Sequence, residues 1–498
     1  MKKLFLLIAL ITLSTVKAQE PFFAISHSTT HGYDIVQSYQ NINPNNDQFA
    51  IFYMDFEYMY AVGFDSEMVA LGRLQNPFSV RKYQRPLLRT SFGDAHVIVV
   101  SNNSMKKIAY AAFDFNKRVV NSNEIDLDLR DEEYLSSFEI DGKAYIMTLH
   151  EKLPQISLHL LKPDYTITTT NFDLSPLEFL DYKNKVVKPR YVINKDYKGF
   201  TGIDLSPETQ FPNTLGQVMS KNKMYLNGEK ILITMDHNNT MTQLLSLNTS
   251  TGQVELKNIA KPLSETHRRD KKFSKKVKQS NSYYKNGELT QVVVTDERLV
   301  VSLTDLATGE QLHSFEVLSD KDESDLLNEG FTQFDNETFK NKTITSRKFF
   351  NKIKMLEGVS VLTEYNENGR LFRFGTWRGG QGSGGGGIGV TIYVPIQGGF
   401  VGGMVAGMIG ATLASLMSPD LQSYSSLVNG RTFQAISCWN NDFEYDPTVK
   451  DDVSFYERIN EIRREFPKGG LCLLFKYQDD LMLGFYYRKG NYIDMVRY

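Results

Sequence analysis

The residues able to do chemistry concentrate in a few places. The densest is His267–Lys278, HRRDKKFSKKVK, where Arg268, Arg269, Lys271, Lys272, Lys275 and Lys276 crowd one short segment. Such a cluster suits phosphate groups, acidic glycans or anionic lipid, and its plain alternative is a solvated loop. Phe273 is the only aromatic residue in it, so base stacking is not indicated. The net charge of -2 gives no global pull toward nucleic acid. An acidic counterpart, Asp320, Asp322, Glu323 and Asp325, lacks the glycine and terminal glutamate of a calcium-binding loop.

The remaining candidates are weaker. His27 and His31 stand four apart, a spacing that on a helix places two metal ligands together. The residues between them, Ser, Thr and Thr, disfavour a helix and no third ligand is near, so no metal site is read here. Asp126 and Asp128 occupy alternate positions of an expected strand and would share a face, for acid–base work or for solvation. Cys438 and Cys472 are the two cysteines. In an exported protein they make either one disulfide or two buried thiols. The chain carries no G-x-S-x-G elbow, no H-E-x-x-H pair, no phosphate loop ending in Lys-Ser or Lys-Thr, and no cofactor motif.

One stretch stands apart by having no charge at all, from Gly379 to Ser418. It opens with GGQGSGGGGIG and continues through GGFVGGMVAGMIGATLASLM at Gly398–Met417. Small residues recur every fourth position in two series, one through Gly399, Gly403 and Gly407, the other through Gly398, Gly402, Ala406 and Gly410. On a helix each series forms a stripe that lets another backbone approach closely. Twenty helical residues extend ~30 Å, about a hydrocarbon thickness. Glycine costs ~1 kcal/mol per residue in a helix relative to alanine, so such a helix needs a packing partner. That partner is a membrane, a second copy, another protein, or the chain's own β body. The pattern resembles the glycine-zipper segments of bacterial envelope proteins.

These features sit on a long chain of ordinary globular composition: 498 residues, 41% hydrophobic, 23% charged, with 26 Tyr and 32 Phe. The aromatic content and few prolines favour sheet. Met1-Lys2-Lys3, the apolar run Leu4–Leu13 and Val16-Lys17-Ala18 read as a secretory signal over residues 1–18, with export to the periplasm, outer envelope or exterior. From 19 to 377 the chain repeats a module of three β runs. Gly287–Leu318 shows it best: Thr290–Thr295, Leu299–Asp305, a Thr308-Gly309 turn, then Gln311–Leu318. Others begin at Ala50, at His96, at Ala144, more weakly near Val186 with strands around Tyr191 and Phe200, at Lys230, at Val359 and at Leu471. The first five start about 43–48 residues apart, near the period of four-stranded propeller blades. Asp141-Gly142, Asn227-Gly228, Asn286-Gly287 and Asn368-Gly369 supply hairpin turns. Phe22–Asn45 reads as polar and turn-rich, and Asp452–Phe466 as an amphipathic helix with Phe455, Ile459, Ile462 and Phe466 on one face.

The hairpins Leu244–Ile259 and Val301–Phe315, each a strand ending in Asn or Asp that runs through Thr-Gly into a second strand, resemble blade hairpins of the β-propeller superfamily, in particular its quinoprotein-like repeats. The resemblance implies architecture and no activity. The expectation is a mainly β protein: a seven- or eight-bladed propeller-like body, a glycine-rich helical insertion at 378–418, and a closing segment at 419–498 with one amphipathic helix. The expected role is a non-enzymatic envelope or secreted interaction scaffold, attached to a membrane, to itself or to a partner through the insertion. The alternative is a glycan-active hydrolase or lyase with its site at the propeller's central mouth.

Overall fold

The computed structural model describes residues 22–27, 35, 37–55, 57–83, 85–102, 104–193, 204–205, 213–262, 277–321, 327–328, 330–335, 340–356, 358–378, 431–446, 448, 454–466 and 470–498. The signal segment and the glycine series at Gly398–Gly410 fall outside them, as do Arg268, Arg269, Lys271, Lys272, Lys275 and Lys276.

The chain is mainly β. Among the described residues it forms seven sheets of four or five strands and one two-stranded ribbon. The first strands of the seven sheets are Gln37–Asn43, Arg85–Phe92, Glu132–Ile140, Asn222–Asn227, Gln279–Lys285, Ser360–Asn366 and Gly470–Tyr477. Neighbouring first strands approach one another: 37–43 meets both 85–92 and 470–477, 85–92 meets 132–140, and 279–285 meets 360–366. The second and third strands follow by antiparallel hairpins, and the outer strand lies farthest from the convergence. The arrangement is consistent with a β-propeller.

Sequence dictates this layering. Second and third strands are covered on both faces by neighbouring sheets, so they are apolar almost without interruption: in Gln48–Met54 every residue after the first is buried, and in Met59–Phe64 every residue is. Outer strands have one side in water, and Val119–Ile125 is largely exposed. Tight turns hold the register. Asp141 (φ 50°) and Gly142 (φ 69°) adopt the paired left-handed conformation of a two-residue hairpin, as do Asn286 (53°) and Gly287 (82°).

The core is a series of interfaces between sheets. Tyr39, Phe52, Ile98 and Phe113 fill the one between the first and second sheets. Met147, Leu158, Ile233 and Leu245 join the third to the fourth. The first sheet meets the seventh through Phe49, Phe64, Phe475 and Tyr477. Closure is between the chain's two ends: Phe23–Ser26 pairs with Tyr492–Arg497, register Phe23↔Met495, and forms the seventh sheet's outer strand.

Three sheets depart from the pattern. The fourth carries an extra strand, Asp204–Leu205, in parallel beside Asn222–Asn227. In the sixth, the two outer strands Phe331–Asp335 and Lys340–Thr343, the latter at the edge, precede the first strand in sequence, and the helix α1 (Ser346–Met355) returns the chain, with Phe349, Phe350 and Ile353 buried. Thr345 caps α1 by accepting from the Lys348 N–H. In the seventh, the helix α2 (Ser454–Glu465) lays Ile459, Ile462 and Phe466 on Leu474, Leu483 and Phe485. The periodicity had located α2, whereas α1 lies where no helix was read.

Two expectations are corrected. The region near Val186 makes no sheet of its own. It forms the ribbon Phe179–Leu180/Val186–Val187 and one helical turn, Arg190–Ile193, where a strand around Tyr191 was expected. The polar stretch before Asn45 contains two strands, Phe23–Ser26 and Gln37–Asn43.

Candidate functional site

The antiparallel order places the first-to-second and third-to-fourth strand links on one face. Links from first to second and from third to fourth strand span two to five residues in the first five sheets, and this is termed the hairpin face. The opposite, connection face carries the links between second and third strands and the crossings between sheets. The long links 174–221, 261–278 and 379–430 all open on it, while the run into α2 starts from the hairpin face. Arg378 and Arg431, the ends of the glycine-rich link, are register partners in one antiparallel pair. Loops displayed by a rigid scaffold are the usual carriers of function.

Three polar clusters lie under this face. His27, just after the closing strand, places Nε2 3.1 Å from Asp55 Oδ2. Asp55 Oδ1 accepts the Glu57 and Tyr58 N–H groups at 2.6 Å. Arg73 lies 3.4 Å from His27 Nδ1 and 4.3 Å above the Tyr60 ring. Burial pushes the Asp55 carboxyl up, but hydrogen bonds from His27 and from the two backbone N–H groups outweigh it, and its pKa ends below the ordinary value.

In the third sheet Glu132 opens the first strand. Burial raises its carboxyl above the usual range, and its Oε2 is buried without a partner among the described residues. Adjacent Glu133 pairs with Arg190, which also reaches the Glu151 carbonyl. A row of polar groups crosses the sheet nearby: Thr148 Oγ1 lies 2.9 Å from His159 Nε2, and His159 Nδ1 lies 2.9 Å from Thr169 Oγ1. Burial holds His159 down at about 4, so it is neutral near pH 7.

The third cluster joins the fourth sheet to the fifth. Lys223, Asp236 and Lys261 are 0%, 1% and 1% exposed. Asp236 accepts from Thr242 and from Ser282, each at 2.7 Å, and Lys223 Nζ is 3.7 Å away. Lys223 donates to the Ser220 carbonyl at 2.6 Å and to Asn281 Oδ1 at 2.5 Å. Lys261 donates to the Asp236 carbonyl at 3.0 Å, to the Asn238 carbonyl and to Ser280 Oγ at 2.7 Å. Two buried lysines therefore converge on Asp236, Lys223 on its carboxylate and Lys261 on its main-chain carbonyl. Burial pushes Lys261 down to about 7, with Lys221 and Lys223 adding to that fall and Asp236 opposing it.

Neighbouring acceptors engage both lysines, so the cluster is built as a cross-sheet tie. Burial raises the Glu132 carboxyl against an opposing hydrogen bond from Thr148, and raises Asp494 as well. Among the described residues no group of three or more His, Cys, Asp or Glu side chains is placed to hold a metal ion. None of the helices among them is long and apolar enough to cross a membrane.

The sequence-selected residues fare unevenly. Cys438 and Cys472 are free thiols in the structure, the first buried and the second half-buried. They belong to different sheets and each has its own partner: Asn328 Nδ2 donates to Cys438 Sγ at 2.9 Å, and Cys472 Sγ donates to the Gly484 carbonyl at 3.3 Å. Asp126 and Asp128 fall beyond the strand end, so they do not share a strand face, and Asp128 pairs with Arg130. Lys278, at the end of the basic segment, pairs with Asp296 at 3.3 Å. His31 lies outside the described residues, while His27 is committed to Asp55. Sequence reasoning missed all three clusters. The available signal was a charged residue abutting a strand core, as in Lys223 before MYL and Lys261 after NIA.

No family model matches the chain, and no curated protein matches it. Solved structures with some likeness include the Dos1 propeller (8% identity, TM-score 0.27, covering 96% of this chain and 95% of that one). The Nup133 β-propeller domain of Vanderwaltozyma polyspora gives 9% identity, a TM-score of 0.29, and 96% and 97% coverage. A cobalt-substituted ACO of Synechocystis gives 7% identity and a TM-score of 0.28, covering 57% of this chain; the chain spans 62% of that structure's length. Likeness at this level carries no argument about activity, ligand or partner.

Proposed function

We propose that the chain is an exported, seven-bladed propeller that serves as an interaction scaffold, held to a membrane, to a second copy or to a partner through the glycine-rich insertion at 378–418. The supporting observation is the asymmetry of the faces. In the first five sheets one face carries only links of two to five residues, and the links 174–221, 261–278 and the glycine-rich one open on the other. The seven blades are the seven sheets, with the N-terminal strand completing the last. Scaffolds of this kind act by presenting loops on a rigid frame, and need no catalytic group.

Because Arg378 and Arg431 are register partners, the segment between them can be cut out and bridged by an Asn-Gly turn without disturbing the sheet. The full chain is expected in the membrane fraction or in an assembly, and the bridged variant as a soluble, folded monomer. If both are soluble monomers of equal stability, the attachment role is wrong. The glycan-active alternative draws on one observation, the raised carboxyl of Glu132 at the start of a first strand. It requires a polysaccharide-cleaving activity that Glu132→Gln abolishes without lowering stability.

A further inference from the structure

A second, separate feature of the connection face points to a surface ligand. The crossing from the third to the fourth sheet carries the ribbon Phe179–Leu180/Val186–Val187 and the turn Arg190–Ile193. Of the eight large hydrophobic side chains that stand exposed among the described residues, four lie on this crossing or on the link 151–154 that Arg190 contacts. Tyr182 is 48% exposed, Val186 63%, Tyr191 54% and Leu153, on the neighbouring link, 53%. Arg190 reaches the Glu151 carbonyl and so brings the 188–191 turn against the link that holds Leu153. Lys183, Lys185 and Lys188 are interleaved with the exposed apolar residues and are themselves exposed. Lys183 Nζ lies 4.9 Å over the Tyr182 ring.

The corner is rigid. Asn238 Nδ2 donates to the Asp181 carbonyl and to Asn184 Oδ1, each at 2.7 Å, and Gln243 Oε1 accepts the Leu180 N–H at 2.9 Å. The Asp181 carboxylate is engaged within its own turn, its Oδ1 accepting the Lys183 and Lys185 N–H groups, and Glu151 and Glu178 are the exposed carboxylates that flank the corner. On the far side of the molecule the hairpin turns are dominated by carboxylates, among them Asp65, Glu67, Asp94, Asp141, Glu229 and Glu367. The protein is thus polarised, with an acidic face opposite a corner where cations and exposed apolar groups alternate. Tyrosines and aliphatic side chains flanked by lysines are the composition that settles at a lipid headgroup layer.

We propose that this corner docks on an anionic lipid surface, with Tyr182, Val186, Tyr191 and Leu153 entering the headgroup layer and Lys183, Lys185 and Lys188 meeting lipid phosphates. The acidic hairpin face then points away from the bilayer. The corner does not include segment 379–430 and does not rest on it, so either reading can fail alone.

The test is flotation of the full chain with vesicles of phosphatidylcholine, and with vesicles in which a quarter of it is replaced by phosphatidylglycerol. Binding is expected to the second and to weaken with salt. Changing Lys183, Lys185 and Lys188 to Gln is expected to cut the partition coefficient on the order of 100-fold, at roughly 5-fold per lysine. The same change at Lys117, Lys143 and Lys230 of the hairpin face is expected to leave it unaltered. Tyr182→Ser with Val186→Ser is expected to weaken binding even in high salt. Equal binding to both vesicles overturns the proposal, as does full binding by the triple Gln variant. So does release of the protein by millimolar glycerol phosphate, which identifies a site for a free phosphate rather than a surface. All the altered side chains in the corner are exposed, and unchanged thermal unfolding verifies that the variants fold.

Discussion

Lys261 gives the sharpest test of how the fourth and fifth sheets are joined. Burial pushes it from 10.5 down to about 7, and each pH unit of that gap is worth about 1.4 kcal/mol. Between those two values the unfolded chain keeps a proton on this lysine that the folded protein has released. The unfolded state binds more protons there, so stability rises with pH across the window, by up to about 1.4 kcal/mol per pH unit. Below the window both states are protonated, above it neither is, and the contribution is flat on either side. Summed over the window, the wild type gains about 5 kcal/mol relative to Lys261→Met. The substitution has a second, pH-independent cost of about 1–3 kcal/mol, because the Asp236 and Asn238 carbonyls lose this donor inside the interface. Urea denaturation of both proteins at pH values from about 6 to 10 separates the two, since only the first varies with pH. The stability curves are expected to diverge with rising pH in favour of the wild type. Parallel curves would refute the reasoning. They would mean that the three acceptors around Nζ, which suit an ammonium, hold the proton against burial.

Further outcomes follow from other parts of the frame. Asp55→Asn is expected to cost about 3–5 kcal/mol near neutral pH, as one member of a buried pair is lost. Because the Asp55 pKa is lowered on folding, its contribution is present above the ordinary carboxylate range and lost as pH falls through the lowered value. The gap between wild type and variant in denaturation should therefore narrow in acid. Gly369→Ala builds a Cβ 2.0 Å from the Trp439 carbonyl oxygen at φ +155°. Neither clash nor backbone can relax cheaply, so a loss above about 3 kcal/mol is expected. Gly63→Ala places its Cβ 2.4 Å from the Phe115 ring and is expected to cost about 1–3 kcal/mol, read as a fall in Tm. Ile462→Ala, fully within the α2 contact on the seventh sheet, is expected to cost about 2–5 kcal/mol. If it costs nothing, α2 is not part of the folding unit.

What the sequence revealed of the fold tracks where water is. Second and third strands such as Leu289–Val294 and Leu299–Thr304 are buried on both faces and announce themselves as apolar runs. Outer strands kept enough alternation, and enough Thr-Gly turns before them, to be found. The first strands of the first five sheets escape the sequence reading, whereas those at Ser360–Asn366 and Gly470–Tyr477 do not; two of the five mix polar and apolar residues, Gln37–Asn43 reading QSYQNIN and Gln279–Lys285 QSNSYYK. In Gln279–Lys285 the polar residues are buried and bonded rather than solvated, with Asn281 donating to the Val359 carbonyl and Ser282 to Asp236. Local pattern cannot separate a polar residue satisfied by a neighbouring sheet from one in a loop. The extra module near Val186 failed for the converse reason. Its apolar residues were taken for strand cores, yet Val186 and Tyr191 stand in solvent.

The clusters under the connection face were invisible for a related reason. Asp236 and Lys223 are thirteen positions apart but meet because Lys223 and Thr234 are register partners in one hairpin. His27 and Asp55 meet only because the N-terminal strand closes the last sheet against the first. Their pairing is a consequence of ring closure, so no local window could have contained it. Closure also explains why such pairs are tolerated. Each lies where two sheets converge and where backbone carbonyls or amides left by the turns are available to satisfy the charges. Exposed features follow a different rule. Tyr182, Lys183, Lys185 and Val186 lie within five consecutive positions of one ribbon, so their proximity is local, while Asn238 and Gln243 hold the ribbon in place. A buried tie must be deduced from topology, whereas a docking surface on one hairpin can be read directly once its strands are known to be exposed.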